Sequence, residues 1–377
     1  MADYVGGRPT NRIQGLDALR TLAIVGVTLF HIFPDVVKGG YLGVSLFFVL
    51  TGYLLAYTTE TERLAGEFSI VRYYMKRFLR MYPALLIVLF VTLGVYSFAL
   101  PDAAMDVREE ILSIVLGYNN WWQIAQNADY FARIANASPF THLWFMGIEL
   151  QYCLLWPLFF LLYVVLARAF GKNAGVAVLA LLGLGTALFM PLQYRPDMDV
   201  TRLYYGTDTR VFALLFGAAM GLWRAGRPAP RKCPLWREIA EFVGFELLFV
   251  LVLFACVLLD GANPLLYQGG MLLATLVFCL LLAITADRSM TIGRLLDARI
   301  FRWLGSRSYG IFLWQYPVIF LFQQKGWEAM PYFFLWEIAL IVLLAMWTEA
   351  LTKCVRRREL PVFGSRLVYF QGACFVL

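Results

Sequence analysis

The sequence predicts an all-α polytopic membrane protein with about ten transmembrane helices and both termini in the cytoplasm. Three observations predict this class. The composition is 61% hydrophobic and 15% charged, with a positive mean hydropathy, far from the balance of a soluble globular domain. Apolar runs of roughly 18–25 residues, the length that crosses a bilayer, recur along all 377 residues. The basic residues also alternate from one connection to the next. Seven of the 32 lysines and arginines (Lys38, Arg108, Arg133, Arg195, Arg202, Arg210 and Lys325) fall in one set of connections, and the remaining 25 fall in the other. The richer set is the cytoplasmic one by the positive-inside rule.

The ten runs are about 17–34, 41–58, 82–100, 142–167, 174–192, 208–224, 239–259, 267–285, 305–323 and 331–352. No Ser/Gly-rich or Pro-rich linker divides them, so 1–377 reads as a single integral-membrane domain. The net charge of +7 is accounted for by the inner connections, which makes nucleic acid the weaker partner and the lipid bilayer the stronger one. Cys153, Cys233, Cys256, Cys279, Cys354 and Cys374 form no close pair, so neither a disulfide framework nor a metal site is supported.

The first run opens at RIQGLDALR. Asp17 and Arg20 lie three residues apart and share a face; a helix-start ion pair and a functional pair account for them equally. Ten mostly apolar residues then separate Arg20 from His31. Eleven positions are very nearly three turns, so both side chains point the same way, roughly 16 Å apart along the axis. A cation and an imidazole on one face of a membrane helix are costly, and the chain has only two histidines. The pair reads as a phosphate anchor below and a proton-transfer group above. Pro34 is expected to end the helix before Asp35. The charged start and the lack of a small-residue cleavage site identify a retained helix and not a signal peptide.

The second run, GGYLGVSLFFVLTGYLLAY, carries Gly39, Gly40, Gly43 and Gly52, which serve either close helix approach or a local break. Phe47 and Phe48 read as packing. Next comes VRYYMKRFLRMYP, a basic interfacial helix before Pro83, which is placed to begin the third span. Arg77 and Arg80 share a face there; they contact anionic headgroups or bind the phosphates of a nucleotide-type cofactor. The connection 101–141 ends an apolar run in a Trp pair, read as an interfacial helix with an aromatic belt or as a lid. The fourth run, HLWFMGIELQYCLLWP, sets His142 and Glu149 seven residues apart on one face. Glu149 is an intramembrane carboxylate at a depth close to that of His31. It is either a functional group or the structural partner of an arginine such as Arg210, at the outer start of the sixth run.

Taken together, these segments resemble the membrane acyltransferase-3 family of O-acyltransferases over about Gln14 to Leu351. The resemblance rests on GLDALR leading to Arg20-x10-His31, GGYLGVSLFFVLTGYLL, RFLRMYP, HLWFMGIELQYCLLWP, TDTRVFALLFGAAMG and SYGIFLWQYP, in the family's order. It implies transfer of an acyl group, commonly acetyl from acetyl-CoA, from cytosolic acyl-CoA to a hydroxyl of an extracytoplasmic or lipid-linked glycan. The expected location is the bacterial cytoplasmic membrane, with no metal involved. It also implies that His31 is the essential histidine with Arg20 as its partner, and that Arg77 and Arg80 lie near the CoA. Glu149 matches the acidic residue of the fourth-helix motif. Arg210 matches the arginine of the TDTR segment.

Three positions depart from the family pattern. Gln315 stands where the family often has His, Leu150 where a second acid is common, and Thr51 where Ser is usual. A C-terminal extracytoplasmic esterase-like domain, found in some members, is not expected in this chain. On this reading His31 is the general base, or accepts the acyl group transiently, and Glu149, Arg20 and Asp17 support it. Arg20, Arg77 and Arg80 bind acyl-CoA, while Arg210, Thr51 and Trp144 face the acceptor. A secondary exporter of a glycan or lipid intermediate is the alternative class; it predicts internal repeats, and none is visible. An acyltransferase with a cytosolic small-molecule acceptor is a further alternative, disfavoured by the outer depth of His31.

Overall fold

The computed structural model describes residues 4–5, 8–9, 13, 15–126, 138–196, 198–227, 234–286 and 291–374. Gln14, Arg12, Arg133, Arg231, Lys232, Cys233 and Arg288 lie outside the described residues. Apart from a short antiparallel ladder of β1 (Tyr4–Val5) with β2 (Arg8–Pro9), the elements are helical. They are α1 (Leu16–Ile32), α2 (Leu42–Leu64), α3 (Ile70–Ala99), α4 (Pro101–Asp106), α5 (Arg108–Val115), α6 (Asn119–Ala125), α7 (Trp144–Phe170) and α8 (Lys172–Gln193). There follow α9 (Thr201–Tyr205), α10 (Thr207–Arg224), α11 (Leu235–Leu258), α12 (Met271–Thr285), α13 (Thr291–Leu295), α14 (Arg299–Gln324) and α15 (Phe333–Cys374).

Each of the ten expected runs holds a helix, and seven stretches are long and apolar enough to cross a membrane. These are Gly40–Leu64, Ile70–Ala99, Thr141–Phe170, Lys172–Gln193, Leu235–Leu258, Leu266–Thr285 and Phe333–Lys353. The protein is an integral membrane protein. The other three runs are the polar ones. The first helix, α1, has 17 residues with Asp17 and Arg20 in them. Asp208, Arg210 and Arg224 fall within the 18 residues of α10, and α14 carries Arg299, Arg302, Arg307, Gln315, Gln323 and Gln324.

Two boundaries differ from expectation. The basic segment and the third span form one continuous helix, α3, with Pro83 in its interior. A proline there removes one backbone hydrogen bond, and membrane helices tolerate this because neighbouring groups satisfy the freed carbonyl. The helix starts earlier, at Ser69, whose Oγ accepts from the Arg72 amide at 3.5 Å. The fourth span begins with a 3-10 turn, Thr141–Leu143, ahead of α7. His142 therefore precedes the α-helical register that was expected to align it with Glu149.

The chain separates into two compact units. One comprises Met1–Phe68, Leu112–Ala137 and Thr141–Ser308, and the other Ser69–Ile111, Ser138–Phe140 and Tyr309–Leu377. In the first, α10 packs along both α2 and α8, and α1 packs on α2. Glycine sets these distances, through close approach and not through a break. A Cβ on Gly52 would strike the Leu214 backbone, one on Gly217 the Val49 carbonyl, and one on Gly43 the Ala23 carbonyl. Small residues at such crossings let membrane helices approach until backbones touch, and α2 runs unbroken through Gly43 and Gly52. In the second unit α3 packs on α15. The Tyr96 hydroxyl donates to the Pro317 carbonyl at 2.6 Å, and the Trp314 indole donates to Thr348 Oγ1 at 2.9 Å.

Candidate active site

The candidate residues of the first unit gather at the two ends of α1. At its start, Arg20 Nη1 donates to Asp17 Oδ1 at 2.9 Å. Asp17 is itself wedged against Gly305 of α14, where a Cβ would leave no room. Thr21 ties the same turn down by donating to the Asp17 carbonyl at 2.8 Å. The far end of α2 carries a second pair of identical spacing: Arg63 donates twice to the buried Glu60, at 2.7 and 2.8 Å. The Tyr163 hydroxyl of α7 also donates to Glu60, at 3.0 Å.

At the other end of α1, His31 occupies the last turn and is only 1% exposed. The helix stops at Ile32, two residues short of Pro34. Ring contacts lead from His31 to Phe30 (centroids 5.3 Å apart), from Phe30 to Tyr41 (5.6 Å), and from Tyr41 to Tyr204 (6.1 Å). Beyond Tyr204 lies Arg210, in the first turn of α10 and also 1% exposed. Its guanidinium lies over three rings, Tyr204 at 5.0 Å, Trp144 at 5.8 Å and Phe48 at 5.9 Å. Its Nη2 donates to Ser45 Oγ at 3.2 Å, and its Nη1 reaches Met271 Sδ at 3.1 Å. Ring faces offset part of the cost of burying a cation. Among the described residues, the contacts of Arg210 include no carboxylate.

Glu149 is instead bonded to α2, accepting from the Thr51 hydroxyl at 3.2 Å. Thr51 lies six residues beyond Ser45 on α2, and Glu149 five beyond Trp144 on α7. At 1.5 Å per residue the Thr51–Glu149 pair sits about 8 Å deeper than the aromatic box around Arg210. The structure therefore brings Thr51 to Glu149, and Trp144 to Arg210. The alternative in which Arg210 partners Glu149 is not what the described contacts show: Arg210 bonds to Ser45, and Glu149 accepts from Thr51, both on α2.

Arg77 and Arg80 belong to the second unit, on the basic end of α3. Arg77 lies over the Tyr73 ring at 5.7 Å, and Arg80 is exposed. Gln315 is fully buried in the same unit. Among the described residues, no group of three or more His, Cys, Asp or Glu is placed to hold a metal ion.

The chain matches the family model described as "Acyltransferase domain", the acyltransferase-3 family, over residues 13–351. It belongs to that family. The putative peptidoglycan O-acetyltransferase YrhL of Bacillus subtilis is 35% identical over 343 residues, covering 88% of this chain and 52% of the relative. The peptidoglycan O-acetyltransferase OatA of Listeria monocytogenes is 31% identical over 313 residues, covering 82% and 50%. The O-acetyltransferase OatA of Staphylococcus aureus is 29% identical over 343 residues, covering 88% and 55%. The chain thus spans about half the length of the curated relatives it matches. No solved structure matches it.

Several side chains of the region had not been singled out in the sequence. Ser45, Tyr41 and Tyr204 build the surroundings of Arg210. Gln151 accepts from Thr207 Oγ1 at 2.6 Å and donates to Asn120 Oδ1 at 2.9 Å, joining α7 to α10 and α6. Arg202 makes two 2.9 Å bonds to Asp208 and covers Trp121 at 5.0 Å. One signal was available for Glu60 and Arg63: they repeat the Asp17-x-x-Arg20 spacing.

Proposed function

We propose that the protein is a membrane O-acyltransferase of the bacterial cytoplasmic membrane. It would move an acetyl group from cytosolic acetyl-CoA to a hydroxyl of an extracytoplasmic glycan, with peptidoglycan the first acceptor to test because the relatives are named for it. The observation that supports the reading is a histidine held at 1% exposure in the last turn of α1, in a chain of the acyltransferase-3 family. Histidine is the side chain suited to proton transfer near neutral pH.

His31 takes the proton of the acceptor hydroxyl as the oxygen attacks the thioester carbonyl. The C–S bond breaks, the C–O bond forms, and the proton leaves with the CoA thiolate as the thiol. Glu149, fixed by Thr51, supports the imidazolium. Arg210, a cation whose contacts include no carboxylate, offers its charge to an anionic or charge-developing group of the acceptor. Within the first unit, Arg20 at the opposite end of α1 is assigned to donor phosphates.

The test is transfer from radiolabelled acetyl-CoA by purified protein. Wild type is expected to turn over, and His31→Ala to lose activity while eluting as a folded protein that still binds CoA. A wild type that neither binds CoA nor turns it over overturns the reading.

A further inference from the structure

A cavity of about 680 Å³ opens between α8, α10, α11 and α12 of the first unit, away from His31 and Arg210. Its walls are apolar, with Ala180, Phe216 and Leu276 among them, and its mouth carries Arg224, Arg227 and Arg237. The size lies within the roughly 300–1,000 Å³ of small-molecule sites. On α11, Phe245 and Val252 are buried, and Arg237 and Glu241 line the cavity.

The guanidiniums at the mouth are ordered. Arg227 lies over Trp223 at 3.9 Å, and Arg224 Nη1 donates to the Arg227 carbonyl at 3.0 Å. Arg237 is partly neutralised by Glu241, at 2.8 Å. Among the described lining residues, three cations stand against one acid, at the end of α10 and α11 that the alternation of basic residues assigns to the cytoplasmic face. A second, smaller cavity of about 240 Å³ lies toward the other end of α11, lined by Leu251, Leu265 and Phe278 among other apolar residues, with no charged side chain among its described lining residues. The two differ in one respect that selects a ligand: the larger one joins an apolar slot to fixed positive charge.

We propose that the larger cavity holds one anionic phospholipid of the inner leaflet, its phosphate on Arg224, Arg227 and Arg237 and an acyl chain between α8, α10 and α12. Anionic headgroups are the abundant ligands of basic pockets between helices on that face. A slot with apolar walls matches a chain, and does not match the polar body of a nucleotide. The site requires no turnover, so it stands or falls separately from the transferase reading.

The experiment places the full chain in nanodiscs of phosphatidylcholine doped with phosphatidylglycerol, extracts it into neutral detergent, and counts retained lipid by native mass spectrometry. Wild type is expected to retain one phosphatidylglycerol in preference to phosphatidylcholine. The preference should fall by about fivefold for each arginine removed in Arg224→Gln and Arg227→Gln, and survive in the charge-conserving lysine variants. Ala180→Phe, which fills the slot and keeps the arginines, should lose the lipid. Equal retention of the two lipids by wild type overturns the proposal, as does unchanged retention by Ala180→Phe. Displacement of phosphatidylglycerol by micromolar CoA also overturns it, because the mouth would then be a nucleotide site.

Discussion

Replacing Thr51 by valine separates two roles open to this hydroxyl: holding Glu149, to which it donates, and donating to the thioester oxyanion. Valine keeps the shape of threonine and removes one donor, so the half-buried α2–α7 contact survives and the bond to Glu149 is lost. Hydrogen bonds to charged groups contribute about 1.5–3 kcal/mol. At 3.2 Å this one belongs at the weak end, and about 1.5 kcal/mol corresponds to roughly a tenfold change in rate. If Thr51 acts by holding Glu149, Thr51→Val should lower kcat about tenfold, leave the KM for acetyl-CoA unchanged, and be rescued by Thr51→Ser. A hydroxyl that donates directly to the thioester oxyanion would cost about 10²–10³ in kcat instead. Steady-state acetyl transfer on the three proteins decides between them. A Thr51→Val enzyme with wild-type kcat, or a Thr51→Ser enzyme no better than Thr51→Val, refutes the positioning argument.

Two further outcomes follow from buried charge. Arg63→Ala leaves the buried Glu60 with Tyr163 as its remaining donor, and should destabilise the protein by about 1–3 kcal/mol; a lowered Tm checks this, and Glu60→Gln in the same chain should recover part of the loss. Arg210→Lys replaces a planar cation spread over three rings with a compact, strongly hydrated one. Its expected effect is at least a tenfold fall in kcat/KM for the acceptor, with the KM for acetyl-CoA unchanged and a wild-type elution profile; full activity in Arg210→Lys counts against an acceptor role.

The helices were legible because membrane burial writes itself into composition. Every expected run holds a helix, whereas the glycines of α2 left close approach and a local break open until the facing carbonyls at Gly43 and Gly52 decided for close approach. Boundaries were less legible where proline was given too much weight. Pro83 looked like a helix start, yet the residues before it are good helix formers and Ser69 supplies a cap, so the helix forms through it. Pairings were the least legible. Asp17 with Arg20 is local and follows from spacing alone, as Glu60 with Arg63 would have done. Thr51 with Glu149 and Ser45 with Arg210 span about 98 and 165 residues; they depend on which helices adjoin, and no local pattern encodes that.

Arg210 shows why the long-range pairings bear on function. A guanidinium placed for stability alone is expected to meet a carboxylate, because breaking or omitting the partner of a buried charge is costly. Glu149, the acid the sequence offered as a partner, accepts a bond from Thr51. The surroundings of Arg210 spread its charge over Tyr204, Trp144 and Phe48, and its contacts among the described residues include no carboxylate. Such an arrangement stabilises the cation enough to keep it buried while leaving its field available. A field of that kind acts on whatever negative charge enters or develops nearby, and its effect is larger in a low-dielectric site than in water. The same reasoning separates this arginine from Arg20 and Arg63, each of which meets its acid three residues away. Asp17–Arg20 and Glu60–Arg63 are local pairs within one helix, whereas among the described residues the contacts of Arg210 include no carboxylate.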